Sequence, residues 1–347
     1  MFDIDGSQKS GSGTILRISI ALAAISGQPL HIYNIRQNRP QPGLKPQHLE
    51  AVMTAARLCN AELKGAELNS RELWFKPREI RGGSVEAEIG TAGSIPMLLM
   101  TVLPICIFAE ETVHLHVSRG GTDVSNSPSI NYMRYVLLPT LKRMGISMSL
   151  TVHKYGYYPK GMGEVALTVE PCRFLKPLLL ENFGKIQAVK GVSVCTFLAD
   201  RRVAERQAKA ANEYMKERGH MADIQVVNDQ SNPLQKGSSL VLWAETDTGT
   251  ILGADAIGEL RKTSEAVGRE AAEKLGKEIP AKPTVDIHLA DMLIPYMALT
   301  KGASAYLART ISDHLQTNIW LAETMLNVKF HIEKVDGLYR IEKVDLL

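Results

Sequence analysis

A proline-rich stretch over residues 35–49, IRQNRPQPGLKPQHL, carries the side chains best suited to binding phosphate. Its three prolines and single glycine stiffen a loop between a predicted strand and a predicted helix. No carboxylate lies nearby to pair with its two arginines, and a guanidinium fork matches phosphate oxygens. The side chains concerned are Arg36, Arg39, Lys45, Gln47 and His48. The stretch predicts phosphate recognition; the alternative is a solvated loop whose arginines pair with distant acids.

Three glycine-rich turns could approach a ligand closely. In the first, Gly6 and Gly11 have the spacing of a phosphate loop, but Ser12 and Gly13 replace its lysine and hydroxyl residue. What remains is a glycine-rich turn into a helix N-terminus, for which an anion site and a simple turn are equally supported. The other two are RGGTDVSNSPS (119–129) and GYYPKGMGEV (156–165). The tyrosines of the last are suited to stacking on bases, although such segments are more often plain turns.

Histidines are the remaining candidates for chemistry. His314 lies in TISDHLQTNIW and His288 in DIHLADM, each a single histidine in a mixed stretch, where a structural role is more common. Only His114 and His116 have the spacing of metal ligands, and no neighbouring carboxylate in the sequence completes a site. The residues alone therefore leave the roles of these histidines open and assign no metal ligand.

The distribution of charge is more informative than the net charge of +3. No aspartate or glutamate occurs between Gly6 and Leu49, or between Val124 and Gly163, although both windows contain several basic residues. Two such windows predict one surface kept free of negative charge, as a polyanion site requires. Chance and buried apolar helices are the alternative explanation.

A repeated pattern must position these residues. A glycine-rich turn, an apolar helix and a strand recur at residues 11–36 and 90–118, and a third copy begins near His288. With the amphipathic helices that follow, the unit is roughly β-α-β-α-β-β, which predicts an α+β fold of repeated modules. Residues 181–280 are denser in balanced charge and predict an inserted small α/β domain of β-α-β-β-α order. The large domain then comprises residues 1–180 and 281–347.

The composition bounds the class of protein. The 347 residues, 45% of them hydrophobic, suffice for about two globular domains and exclude a disordered chain or a coiled-coil rod. The longest apolar stretches are short and interrupted by proline, and the N-terminus lacks the features of a signal peptide, so we expect a soluble protein without membrane contact. Four scattered cysteines predict reduced thiols in a cytoplasmic protein.

Seven ordered segments together resemble the RNA 3′-terminal phosphate cyclase family, and the resemblance covers essentially the whole chain. The segments are DGSQ…GSGTILR (5–17), IRQNRPQPGLKPQHL (35–49), IGTAGSIP (89–96), GGTDVS (120–125), GYYPKGMG (156–163), HLADMLIPYMAL (288–299) and HLQTNI (314–319). The resemblance implies a large domain of βαβαββ units, like those of the enolpyruvyl transferases, with a small α/β domain inserted late. An enolpyruvyl transferase itself is disfavoured because the motifs match the cyclases.

The resemblance also implies an activity. An RNA 3′-phosphate end becomes a 2′,3′-cyclic phosphate with consumption of ATP, through a histidine–AMP intermediate at His314 and an RNA–pp–A end. By the same resemblance, the nucleotide is bound by His288, Leu289, Ala290, Asp291, Met292, Met100 and Arg17. The triphosphate or the RNA phosphate engages Arg36, Arg39, Gln47 and His48. The implied partners are ATP, a divalent metal ion (Mg²⁺ or Mn²⁺) and RNA, and the oligomeric state is left open.

The sequence departs from the family pattern at the implied nucleotide site. Ser10 stands where the family has a glutamate that serves metal binding, and Thr14, Met100 and Met292 stand where glutamine is common. A divalent ion would then depend on ATP phosphates and water. These changes favour the alternative, a weakened or inactive cyclase-like protein that binds RNA. Retention of His314, Asp291 and the arginine loop favours the enzyme.

Overall fold

The structure is a computed structural model that describes residues 1–345. Leu346 and Leu347, which the predicted large domain includes, lie outside the described residues. Within the described part, the strands form four sheets of four strands each, and helices pack against them. This mixed architecture confirms the predicted α+β class.

The first unit has the predicted β-α-β-α-β-β order. Its elements are β1 (Phe2–Asp5), α1 (Gly13–Ser26), β2 (Leu30–Tyr33), α2 (Pro46–Cys59), β3 (Glu62–Lys64) and β4 (Leu73–Lys76). Strands β1 and β2 are parallel, and β4 is antiparallel to both β2 and β3. The order across the sheet is therefore β1-β2-β4-β3.

The second unit repeats this arrangement. Its elements are β5 (Gly83–Glu88), α3 (Ile95–Cys106), β6 (Val113–Gly120), α4 (Ile130–Tyr132), α5 (Leu138–Arg143), β7 (Met148–Lys154) and β8 (Gly163–Val169). A π-helical turn over Met133–Leu137 joins α4 to α5, so the two act as one helix. The sheet order β5-β6-β8-β7 matches that of the first unit.

A fourth sheet interrupts the third unit after its first strand, β9 (Leu179–Leu180). Its elements are β10 (Ile186–Thr196), α6 (Val203–Lys216), β11 (Ala222–Asp229), β12 (Gly237–Thr246), β13 (Ile251–Ile257) and α7 (Ser264–Glu278). The predicted β-α-β-β-α order lacks β13. Strand β13 escapes prediction because its sequence, ILGADAI, is rich in small residues with low β-propensity.

The third unit resumes after this sheet with α8 (Ile287–Ala298), β14 (Ser304–Ala308), α9 (Asp313–Met325), β15 (Val328–Val335) and β16 (Leu338–Asp345). Its sheet, read from β9, has the order β9-β14-β16-β15, the same as in the other two units. The insertion therefore lies between the first strand and the first helix of the third unit. The division into domains at residues 181–280 remains a proposal, which this separate sheet supports.

The core lies where helices of different units meet. Helices α1, α3, α8 and α9 pack against one another, and α2 packs against α1 and α3. Their apolar side chains, including Ile15, Leu98 and Leu293, are fully buried. Helix α3 is apolar on almost every face, as expected of a helix surrounded by protein.

Two further expectations concern thiols and membranes. Cys59, Cys106, Cys172 and Cys195 are all free thiols, and burial raises the pKa of Cys59 and of Cys106 to about 12. Such thiols are protonated and unreactive at neutral pH. Among residues 1–345, no helix has the length and apolar character needed to cross a bilayer.

Candidate active site

A cleft of about 980 Å³ lies where the N-terminal turns of five helices meet. The residues that line it from these turns are Gly13 and Thr14 of α1, Gln47 and His48 of α2, Met97 of α3, His288 and Asp291 of α8, and His314 of α9. Each helix N-terminus carries unpaired backbone N–H groups and partial positive charge. The convergence of helix N-termini on one cavity favours an anion there.

Local sequence explains why these helices begin at the cleft. The hydroxyls of Ser12, Ser94 and Ser312 cap α1, α3 and α9, accepting from the backbone N–H of Thr14 (3.3 Å), Met97 (3.1 Å) and Leu315 (2.9 Å). The first turns of α1, α2, α3 and α8 contain no acidic residue. The positive ends of α1, α2 and α3 are therefore not neutralised by acidic side chains, whereas the Asp286 carboxylate caps α8 and accepts from the backbone N–H of His288 and Leu289.

Three arginines add positive charge to the wall of the cleft: Arg17, Arg36 and Arg39. Arg17 donates to the Thr14 hydroxyl at 3.0 Å, and Arg36 donates to the carbonyls of Gln41 and Gly43, both at 2.8 Å. Part of the Arg36 fork thus holds its own loop together. Burial and the charges of Arg39 and Arg36 lower the pKa of Arg17 to about 10, so Arg17 stays charged at neutral pH. A bound anion would reduce the repulsion among the three guanidinium groups.

His314 faces the cleft from the first turn of α9 and is exposed there. Its Nδ1 lies 3.1 Å from the Thr14 hydroxyl oxygen, the same atom that accepts from Arg17. A hydroxyl oxygen has two lone pairs, so Thr14 can accept from both side chains. In the tautomer that donates from Nδ1 to Thr14, Nε2 has a free lone pair. Thr14 can thus hold the His314 ring in the orientation and tautomer that a nucleophilic imidazole needs.

The surroundings of His314 favour its neutral form. Partial desolvation by the cleft walls, followed by the charges of Arg17 and Arg39, lowers the pKa of His314 below its ordinary value of 6.5. A neutral imidazole is nucleophilic, whereas a protonated one is not. The same arginines that attract an anion therefore keep the histidine unprotonated at neutral pH.

His48 and Gln47 form the floor of the cleft beside α1. A Cβ at Gly13 would lie 2.4 Å from His48 Nε2, so only glycine allows this approach. Burial and the nearby cations, Arg17 first, lower the pKa of His48 to about 3, and its buried Nδ1 has no hydrogen-bond partner among the described residues. The Gln47 side-chain oxygen accepts from the backbone N–H of Ser94 at 2.6 Å, which ties α2 to α3.

One end of the cleft, beside α8, is less polar. Met100 and Met292 line it together with His288, whose ring stands at 85° to Tyr132 with 6.3 Å between the ring centroids. Asp291 accepts from the Ser312 hydroxyl at 2.5 Å, and burial raises the pKa of its carboxyl to about 6. A flat ring with polar edges would fit this end.

Leu289 and Ala290, which the resemblance places at the nucleotide, are not in the cleft wall. Both are buried in the core, at 0% and 1% exposure, and the Ala290 carbonyl accepts from the Tyr306 hydroxyl at 2.8 Å. Residues 288, 291 and 292 share one face of α8, whereas residues 289 and 290 lie on the opposite face. All the other residues that the resemblance places at the site line the cleft, whereas Lys45 of the arginine loop does not and donates to the Asn69 side chain at 2.8 Å.

The site residues named from the sequence do not include a second group of wall residues, although two of the glycine-rich turns already pointed to some of them. Those from the second acid-free window include Val124, Pro128 and Tyr158, and the elements after β12 contribute Asp255, Glu259, Lys262, Glu270 and Lys274. Lys262 and Lys274 both pair with Glu270, at 2.5 and 2.9 Å. The absence of acidic residues between Val124 and Gly163 was the sequence signal for Val124, Pro128 and Tyr158. The inserted sheet, with its balanced charge, gave none.

The residues at the cleft do not form a metal site of their own. Across residues 1–345, no group of three or more His, Cys, Asp or Glu side chains is placed to hold a metal ion. The Ser10 hydroxyl, at the position of the family glutamate, lies 3.0 Å from the Ser12 hydroxyl instead. A single hydroxyl in place of a carboxylate is a poor ligand for a hard divalent cation.

Comparison with known proteins agrees with this geometry. The family model described as RNA 3′-terminal phosphate cyclase matches residues 8–332, nearly the whole chain. The chain belongs to this family. The resemblance inferred from the seven segments is thereby confirmed.

Curated proteins with the same description are similar to the chain along its full length. One from Pyrobaculum aerophilum is 43% identical over 341 residues, which cover 98% of this chain and 97% of that protein. One from Pyrococcus furiosus is 44% identical over 333 residues, covering 96% and 95%. One from Methanosarcina barkeri is 42% identical over 341 residues, covering 98% and 99%. All three are named RNA 3′-terminal phosphate cyclase.

Proposed function

We propose that this chain uses ATP to convert an RNA 3′-phosphate end into a 2′,3′-cyclic phosphate, through a covalent AMP on His314. One observation carries the proposal. The His314 ring, hydrogen-bonded to Thr14, lines a cleft that is also lined by five helix N-termini and three arginines. The relatives that share its sequence are named for this reaction. The non-catalytic alternative is less well supported, since it needs no exposed, neutral imidazole at this place.

In the first step, Nε2 of His314 attacks the α-phosphorus of ATP. A P–N bond forms, the bond to the bridging oxygen breaks, and pyrophosphate leaves with that electron pair. Negative charge develops on the phosphoryl oxygens, where positioned cations and backbone N–H groups stabilise it most effectively. Arg17, Arg39 and the first turns of α1 and α9 supply those groups in the cleft.

The two later steps transfer and then release AMP. An oxygen of the RNA 3′-phosphate attacks the phosphorus on His314, so that the P–N bond breaks and RNA–pp–A forms. The neighbouring 2′-hydroxyl then attacks the 3′-phosphorus, loses its proton and expels AMP. A phosphate monoester is a poor electrophile, and its adenylylation provides the leaving group that cyclisation needs.

The walls of the cleft suggest where each substrate binds. The apolar end with His288, Met100 and Met292 suits the base of ATP, and Asp291 suits a hydrogen bond to the nucleoside. Arg36, Arg39, Gln47 and His48 suit the phosphates of ATP and RNA, because each can donate an N–H to a phosphate oxygen; His48, whose lowered pKa keeps it neutral, has one such N–H. A divalent ion that accompanies ATP would take its ligands from the phosphates and water.

Free thiols support a cytoplasmic location.

The decisive experiment follows the product. The protein is incubated with ATP, Mg²⁺ or Mn²⁺, and a short single-stranded RNA that ends in a 3′-phosphate. We expect a phosphatase-resistant 2′,3′-cyclic end to form only when ATP is present, and an RNA with a 3′-hydroxyl to remain unchanged. RNA binding without a cyclic end under either metal would reject the enzyme and support the RNA-binding alternative.

The pH dependence of adenylylation should report the cations around His314. The rate should fall only below the ordinary histidine pKa of 6.5, because the pKa of His314 is lowered and the neutral form persists to lower pH. Arg39→Ala removes a positive charge, so protonation becomes easier and the acid limb should move to higher pH. The measurement is single-turnover formation of labelled protein–AMP from about pH 4.5 to about pH 8, on both sides of the ordinary histidine pKa of about 6.5. Arg218→Ala, outside the cleft, is the control, and equal acid limbs in the two variants would contradict the expectation.

A further inference from the structure

Tyr158 is an exposed aromatic side chain in the wall of the catalytic cleft. It is 78% exposed, whereas its neighbour Tyr157 is 3% exposed. Tyr158 lines the same cavity as His314 and Arg39. A large ring left in contact with water beside a polyanion site is unusual enough to need an explanation, because most such rings are packed against protein.

The neighbouring tyrosine anchors the loop that presents this ring. Tyr157 is packed so closely against Gly237 that a Cβ there would lie 2.1 Å from the ring. Its hydroxyl accepts from the Thr196 hydroxyl at 3.2 Å. The two adjacent tyrosines therefore have opposite environments: one holds the loop against the inserted sheet, and the other faces the cleft.

Hydrogen bonds to the segment before β12 fix the backbone on both sides of Tyr158. Gln235 donates to the Tyr158 carbonyl at 3.1 Å and accepts from the Lys160 backbone N–H at 3.2 Å. Asn232 donates to the Gly161 carbonyl at 3.1 Å. A ring presented by a fixed backbone loses little conformational entropy when a ligand stacks on it.

The cleft has room for a second ligand beside ATP. Its volume of about 980 Å³ lies at the upper end of the range for small-molecule pockets, roughly 300–1,000 Å³. The RNA end must enter this space to bring its 3′-phosphate to His314. Proteins that bind single-stranded RNA use exposed aromatic rings next to a positive groove as platforms for bases.

We propose that the Tyr158 ring stacks on a nucleobase at the 3′ end of the RNA and so positions the terminal phosphate. This inference rests on the proposed function, because it assumes that RNA enters the cleft. It also gives the inserted sheet a role, since the sheet holds the loop that carries the ring. Stacking of the ring on a base does not depend on the RNA sequence, because every base has a flat π-face.

Two variants separate stacking from other roles of this side chain. Tyr158→Ala should raise the RNA KM, and the Kd measured by anisotropy of labelled 3′-phosphate RNA, by about 5- to 150-fold. Tyr158→Phe, which keeps the ring, should stay within about threefold of the wild type. Formation of protein–AMP in the absence of RNA should be unchanged in both. Phe174→Ala, which removes another exposed ring (71% exposed) outside the cleft wall, is the matched control.

RNA that lacks a single base identifies the contact. Substrates abasic at the last or the next-to-last nucleotide should bind the wild type more weakly at one of these positions, and Tyr158→Ala should not distinguish that substrate from intact RNA. An unchanged RNA affinity in Tyr158→Ala, or a slower adenylylation without RNA, overturns the proposal. Because anisotropy needs no catalysis, a failure of the proposed reaction would be seen separately from a failure of stacking.

Discussion

His314→Ala is expected to abolish protein–AMP formation and cyclisation, with a loss of about 10⁴-fold or more, since the variant removes the nucleophile itself. Thr14, Arg17 and the helix N-termini remain, so ATP should still bind with near wild-type affinity. The measurement is transfer of label from α-labelled ATP to protein, with the adduct tested for the acid lability and alkali stability of a phosphoramidate. ATP binding is measured separately by equilibrium titration.

Two matched variants make this result specific. His114→Ala removes an exposed histidine on β6, outside the cleft wall, and should leave the adduct intact. His314→Asn keeps a polar side chain of similar reach but has no ring nitrogen, and it should be as inactive as alanine. If a labelled adduct of the same stability persisted in His314→Ala, another residue would be the nucleophile and the assignment would be wrong.

Asp286→Ala should destabilise the protein by about 3–5 kcal/mol, because it removes one carboxylate that satisfies four buried donors. Asp286 is 1% exposed and caps α8. Its carboxylate accepts from the Tyr132 hydroxyl (2.7 Å) and the backbone N–H of Gly253 (2.8 Å), His288 (2.9 Å) and Leu289 (3.0 Å). The change thus unlinks α8, the second unit and β13 at one point.

Urea denaturation measures this effect through the shift of the midpoint. Asp286→Asn keeps the shape and one acceptor oxygen but turns an amide toward the donors, so an intermediate loss is expected. Asp200→Ala removes an exposed aspartate and should change the free energy of unfolding by less than about 0.5 kcal/mol. A loss below about 1 kcal/mol for Asp286→Ala would show that water replaces the carboxylate, contrary to its burial.

The sequence predicted the repeated unit well where its elements are contiguous. In the first two units, the helix after the glycine-rich turn and the strand after it are both visible as runs of apolar residues. The third unit was recognised only from His288 onward, because its first strand is the dipeptide Leu179–Leu180, separated from the rest by the inserted sheet. Only the tertiary pairing of β9 with β14 identifies it as part of that unit.

The candidate site was predictable where a motif carries its own chemistry. His314, Arg17 and the arginine loop fall in segments that resemble the family, and the structure places them around one cleft. The role of Thr14 was not predictable, since its contact with His314 joins residues from opposite ends of the chain. The residues after β12 entered the wall for the same reason: their position depends on how the inserted sheet docks, and local pattern does not encode it.

The ring of helix N-termini also bears on how the reaction cycle proceeds after its first step. Peptide groups neither titrate nor vanish when a side chain is replaced, so this part of the attraction for phosphate persists across the pH range and in every arginine variant. It acts on pyrophosphate as much as on the tail of the triphosphate. Pyrophosphate is therefore expected to stay bound after the first step. The RNA end is itself an anion, so its binding at the same helix N-termini would displace pyrophosphate and allow the second step.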